Sequence, residues 1–449
     1  MATEQFNVVK SILSKSIFDE NVIHIILTEY WKNLKNKRKV LVDWINIEKL
    51  WWYNLSNNPN AMELLKERLE YEESLTINEY NNTNDKIDWY SFASICDDIK
   101  ILEKHEDKLD SGSVGINLNA IEYIKKYIDR TDWDAVCLNK NAIDLIKANK
   151  NKINWSCLSQ NPNAIDILMK NKRNINWNGL SLNENAIELL EEQIYYQHYS
   201  NEYLVNWKYL SSNPNAINLI KKRIKYEKFL NRENKIDWSM LSTNPNAIDL
   251  LKNNKDKINW TQLSANPDAI NLLKENQDKI DWFNLSANPN AIDLLLDNKH
   301  KIHWVELCNN PSAIDLIKER IEYENSLTKE QYNNLVYYKD TLNWSYLSEN
   351  PNAIKLLEKN PNKINWINLS ANPNAIDLLK ENTYMINWKE LSSNPNAIDL
   401  LEKQINIDPD KLDWLYLSKN LNAIDLLKKN KEEIEWAWFS LNPAIFKAV

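Results

Sequence analysis

Glycine is nearly missing from this chain: three residues in 449, at Gly112, Gly115 and Gly179. A loop that brings its backbone against a phosphate needs several glycines at close spacing, so neither a P-loop nor a dinucleotide fingerprint can be written here. Most nucleotide-using enzymes are thereby excluded. Cysteine is scarce too. Cys96, Cys137, Cys157 and Cys308 form no C-x-x-C pair and read as reduced, space-filling thiols rather than a disulfide or metal framework. No run approaches the ~18 apolar residues of a membrane helix. The opening MATEQFNVVKSILSKS also lacks the charged, apolar and small-residue order of a secretory signal. A membrane association is not expected, and a cytoplasmic location is.

Excess positive charge is missing as well. The formal net charge is −8, and the one basic run, KNLKNKRK at 32–39, is short enough to be a solvated turn. Nucleic acid is therefore not an expected partner, although helical repeats elsewhere read single strands. Catalytic groupings are equally thin. Of five histidines, His300 and His303 have the i, i+3 spacing of metal ligands, but no third ligand is suggested and His303 stands where other segments carry Asn or Asp. Carboxylates are spread evenly, and no acid–base pair stands out. No cofactor, metal, small-molecule substrate or enzymatic activity is expected.

What is present is a repeat. The segment NWTQLSANPDAINLLKENQDKIDWFNLSANPNAIDLLLDNKHKIHW, residues 259–304, says nearly the same thing twice. With the Trp taken as position zero, 16 units begin at 52, 89, 111, 133, 155, 177, 207, 238, 260, 282, 304, 344, 366, 388, 414 and 436. Fifteen are led by Trp, and ten of the fifteen intervals are 22 residues. Of 19 tryptophans, only Trp31, Trp44, Trp51 and Trp438 fall outside these slots. A period of this size means stacked repeats rather than one globular core.

Each unit reads as a helical hairpin. In residues 155–172, Ala164, Ile165, Ile167 and Leu168 lie on one helical stripe, and Trp155 and Leu158 share a face of a shorter helix before it. Asn161 followed by Pro162 suits an N-cap with proline at the first helical position. Asn fills that sixth position in 15 units and Pro follows it in 11. A ladder of asparagines could instead bind a ligand, but capping accounts for them. Ser in each Leu-Ser reads as the end of the short helix. Neither helix can bury its stripe alone, so unit stacks on unit. The fold expected is an all-α solenoid of about 16 short helical hairpins over residues 44–449, with an N-terminal helical cap at 1–43 covering the first unit.

Unit length has a readable cause. Eight of the ten short units carry Asn at the sixteenth position, where a helix can turn left-handed and stop. The five long units carry Arg68, Gln193, Arg223, Arg320 or Gln404 there, which are good helix formers, so the second helix should run on and project. An irregularity is expected around SGSVG at 111–115, where the Trp is lost. The apolar end WAWFSLNPAIFKAV is expected either to pack back on the stack or to meet a partner.

The repeated Trp, paired with Leu three residues later, reads as core. The positions just after it vary freely. Tyr209, Gln262, Phe283, Tyr346 and Tyr416 are therefore the expected protein-binding residues on the short-helix face, with the long-unit extensions as the other choice. The string W-x-x-L-S-x-N-P-N-A-I resembles the Asn-Pro-Asn-Ala-Ile repeat proteins of giant DNA viruses of amoebae, across residues 49–445 with departures at units 89 and 111. The resemblance implies a repeat protein without assigned catalysis, located in host cytoplasm or virion. The function expected is a non-enzymatic protein–protein interaction scaffold directed at host or virion proteins. The alternative is a passive structural virion component that self-associates.

Overall fold

Alternating apolar positions at helical spacing, punctuated by Asn-Pro every 22 residues, fold as the spacing predicts. A computed structural model describes residues 39–200, 204–230, 236–333 and 341–448. The fold is an all-α solenoid. One repeat runs through the short helix Trp155–Gln160, a turn at Asn161, the second helix Ile165–Lys170 and a 3-10 turn at Lys172–Asn174, which leads to the next short helix at Trp177. The 3-10 turn was not expected from sequence. By chain contacts the molecule divides into two compact units, residues 1–92 with 418–449, and residues 93–417.

The asparagine at the sixth position is the N-cap foreseen, and more. In the larger unit Asn288 accepts the backbone N–H of Asn290 at 3.0 Å, closing the turn that starts the second helix. Its amide group donates at the same time to the carbonyls of Ser264 and Asn266 in the preceding repeat, both at 3.1 Å. Asn288 is 2 % exposed, and its oxygen and both amide hydrogens are committed. A buried ladder of this kind satisfies the carbonyls that each hairpin leaves open and sets the spacing of the stack. A second ladder runs on the surface, where Asn290 donates to the Pro267 carbonyl one repeat back at 3.1 Å.

Serine carries the third inter-repeat link. Ser264 donates to the Trp260 carbonyl at 2.7 Å and accepts the backbone N–H of Asp281, the cap of the next short helix, at 3.0 Å. It does not merely end its helix; it joins two repeats. Cys308 stands in this slot and donates its Sγ hydrogen to the Trp304 carbonyl at 3.1 Å. Burial pushes its thiol up to about 12 and that of Cys137, in the same slot, up to about 11.

In the smaller unit the first repeat takes the last as its preceding neighbour. Trp51 N–H donates to Ser440 Oγ at 2.9 Å, and Asn58 donates to the Ser440 and Asn442 carbonyls at 3.0 and 3.2 Å. Asn60 donates to the Pro443 carbonyl at 3.0 Å. All three links of the interior stack are thus repeated between residues almost 390 apart in sequence. A strand clasp is added. Lys39–Leu41 pairs antiparallel with Phe446–Ala448, Leu41 opposite Phe446, and Phe439, Ile445 and Phe446 are buried. The apolar C-terminal end therefore packs back on the stack. Most of the segment expected as an N-terminal cap, 1–38, lies outside the described residues, and its last part is strand rather than helix.

Two local expectations are corrected. SGSVG forms a regular short helix, Ser111–Ile116, capped by Asp110. Its Gly115 lets the following helix approach: a Cβ there would sit 2.7 Å from Ala135 Cβ. The Asn that stops short repeats is not left-handed either. Asn276 has φ −139° and ψ 51°, and its side chain donates back to the Leu272 carbonyl at 2.7 Å, closing the helix end by a side-chain bond.

Candidate interaction faces of the repeats

The side chains that differ between repeats are set by the geometry of the short helix. With Trp and Leu turned inward at positions zero and three, positions one and two face outward. The Leu is fully buried in repeat after repeat, as at Leu263, Leu285 and Leu347. The Trp is less so. Trp260, Trp282 and Trp366 are half-buried, which corrects the reading of every Trp as core. Trp52, Trp177, Trp207 and Trp304 are buried, and all four open long repeats.

The long repeats explain the difference. Their second helices run past the sixteenth position in each case, as Met62–Ser74, Ile187–Ser200, Ile217–Leu230, Ile314–Ser326 and Ile398–Ile405. The helix runs unbroken through Arg320, and the Arg320 side chain turns back over the repeat. The guanidinium lies 4.7 Å from the Trp304 ring and 4.9 Å from the Tyr323 ring. Its Nε donates to Glu324 Oε1 at 2.9 Å, and the same oxygen accepts the Leu342 N–H where the chain returns to the stack, at 3.3 Å. Arg68 does likewise with Trp52, Tyr71 and Glu72, and Glu72 accepts the Ile87 N–H at 3.2 Å. Arg223 stacks 4.9 Å from Trp207. The motif R-x-x-Y-E, at 68–72, 223–227 and 320–324, was present in the sequence, but the clasp that its first and third copies make on the returning chain was not read from it. A shallow cleft of about 340 Å³ lies over the Trp304–Arg320–Tyr323 sandwich.

The five expected binding residues all lie on short helices of the larger unit. Tyr209, Phe283 and Tyr416 are 41 %, 49 % and 40 % exposed, and Gln262 is exposed. Tyr346 is half-buried. Successive short helices, such as Trp238–Thr243, Trp260–Ala265 and Trp282–Ala287, pack side by side, so these positions form a row. Met240 and Ile367 belong to the same face and were not singled out from sequence. Phe283 is not a free display residue: its ring packs edge-on against His303 of the next repeat, centroids 4.8 Å apart. The row is also interrupted, because Val305, the counterpart of Phe283 one repeat on, is 3 % exposed.

His303 itself is the N-cap of its short helix, Nδ1 accepting the Glu306 N–H at 3.4 Å. Among the described residues no group of three His, Cys, Asp or Glu side chains is placed to hold a metal, and no helix is long and apolar enough to cross a membrane. The chain matches no family model, no curated protein and no solved structure.

Proposed function

We propose that this chain is a non-enzymatic scaffold that binds a protein through the outward row of its short helices, with Tyr209, Gln262, Tyr346 and Tyr416 as principal contacts. The observation that carries this reading is a division of labour. Asn, Ser and Leu at fixed positions are buried and committed to the frame, whereas the residues just after the Trp vary in type and mostly stay accessible, with Ala135, Gly179 and Val305 as buried exceptions. Aromatic side chains in such positions supply large contact area at small entropic cost. The resemblance to giant-virus repeat proteins makes a host or virion protein the proposed partner, met in host cytoplasm or particle.

Self-association as a passive structural component is the second reading. End-to-end stacking through the first repeat does not favour it, because the last repeat already occupies that repeat's ladder. The test is affinity capture from host lysate with the wild type and with Tyr209→Ser, Tyr346→Ser and Tyr416→Ser combined. One reproducible partner, lost in a triple variant that still folds, supports the scaffold. Recovery of this chain alone supports the structural role, and a partner retained by the variant places recognition elsewhere.

A further inference from the structure

No linker of the chain crosses the junction between the first and last repeats. Each interior repeat is tied to the next by a few residues of its own chain, whereas residues 39–60 and 436–448 hold one another by non-covalent contacts alone. Beyond the amide and serine links already described, the Asn54 amide donates to the Ala437 carbonyl at 2.6 Å and the Val42 N–H to the Ile445 carbonyl at 2.9 Å. Trp44 packs against Phe439 with ring centroids 6.0 Å apart, and Lys447 Nζ donates to Asp43 at 2.8 Å. Val42, Asp43, Trp44 and the strand Lys39–Leu41 all precede the first repeat, so interior repeats have nothing in their place. A last repeat therefore has a partner surface that singles out the first repeat from the rest.

None of these contacts depends on both sides belonging to one molecule. Parting them requires no hairpin to unfold, because each side keeps its own turn: Asn58 accepts the Asn60 N–H at 3.1 Å, and Asn442 accepts the Ala444 N–H at 2.9 Å. Parting would bare two complementary faces. The first repeat offers the amides of Asn58 and Asn60, and the last offers the carbonyls of Ser440, Asn442 and Pro443 with buried Phe439, Ile445 and Phe446. Such faces, apolar and with unpaired polar groups, do not stay open in water. They close again on their own chain or on the same two faces of another copy. Interior faces do not compete, since the neighbours that cover them are held in place by the chain.

We propose that a second copy of this chain docks at the junction by exchange, residues 436–448 of each copy taking the place of the other's against residues 39–60. Addition of a copy to the closed chain is blocked by the occupied ladder; exchange replaces the occupant, and reciprocal exchange leaves no face of either copy open. The short-helix row of the larger unit takes no part, so this inference and the scaffold reading stand or fall separately. The test uses the full chain in a Cys157→Ser background, since the other three thiols are buried. Val40 and Lys447 are opposite one another in the strand pair. Chains carrying Val40→Cys and chains carrying Lys447→Cys are unfolded together, refolded until they regain wild-type helicity, and treated with a short bis-maleimide. Exchange sets the two thiols side by side across two molecules, so a covalent two-chain product is expected, growing with the concentration at which the mixture is refolded. Asp377→Cys, at an exposed position of the larger unit, should give no such product in place of Lys447→Cys. A chain carrying both Val40→Cys and Lys447→Cys, crosslinked within itself before unfolding, should refold to the mass of one chain by light scattering under conditions where the wild type pairs. Absence of the two-chain product, an equal yield with Asp377→Cys, or pairing of the locked chain as readily as the wild type would each overturn the proposal.

Discussion

Asn58 in the first repeat donates its side-chain amide to the Ser440 carbonyl in the last, at 3.0 Å, the bond that Asn288 makes to Ser264 at 3.1 Å between adjacent repeats. The first and last repeats are therefore joined by the same hydrogen-bond links as adjacent repeats, to which the pairing of Lys39–Leu41 with Phe446–Ala448 is added.

Removing either asparagine should have the same local cost. Asn58→Ala and Asn288→Ala each delete a cap and two amide donors and leave buried carbonyls unsatisfied, about 2–4 kcal/mol per site. Hydrogen exchange should localise the loss: faster amides at 39–60 and 436–448 in the first variant, and at 264–310 in the second. Uniform acceleration across the chain in both would mean that the ladder does not act repeat by repeat.

Trp304 and Trp260 occupy the same slot and should not cost the same to truncate. Trp304 is buried under Arg320, and Trp304→Ala should lose about 3–5 kcal/mol. Trp260 is half-buried, so Trp260→Ala should lose distinctly less, about 2 kcal/mol, because part of its surface meets water in the folded chain. Denaturant unfolding of both variants, followed by exchange at the affected repeat, measures the difference.

Arg320→Ala should free the returning segment. It leaves Glu324, 8 % exposed, without its cation, and breaking such a pair from one side costs about 3–5 kcal/mol. Limited proteolysis should then cut within 321–333 faster than in the wild type. Arg320→Lys should rescue only in part, since an ammonium does not stack flat between Trp304 and Tyr323.

The thiols should be slow. With burial holding Cys137 near 11 and Cys308 near 12, little thiolate exists at pH 8, and a disulfide reagent should reach half-exposed Cys157 first. All four should react after unfolding. Because the folded-state values are raised above the unfolded ~8.5, the stability these groups contribute is present in full below that pH. It is lost as pH rises from there toward about 12.

Periodic features were legible in the sequence because they depend on neighbours within one unit: the hairpin, the Asn cap and the continuation of the helix through Arg320. Features requiring two repeats at once were not. The amide ladder, the bridging role of Ser264 and the half-burial of Trp260 depend on how the next unit sits. The meeting of Asn58 with Ser440 is not signalled by any local pattern, although Trp51 and Trp438, out of step with the repeat, marked the place. Phe283 looked like display residue and is tied to His303, a contact that spacing alone does not show.

The proposed function is tested most directly by a photo-crosslinker, p-benzoylphenylalanine, placed singly at Tyr209, Gln262 or Tyr416, with Asp293 and Asp377 on the second helices as controls. The account predicts that the short-helix positions crosslink one common protein from host lysate and that the two controls do not. Crosslinks to that protein from Asp293 and Asp377 but not from Tyr209, Gln262 or Tyr416, or crosslinks only to further copies of this chain, would contradict it.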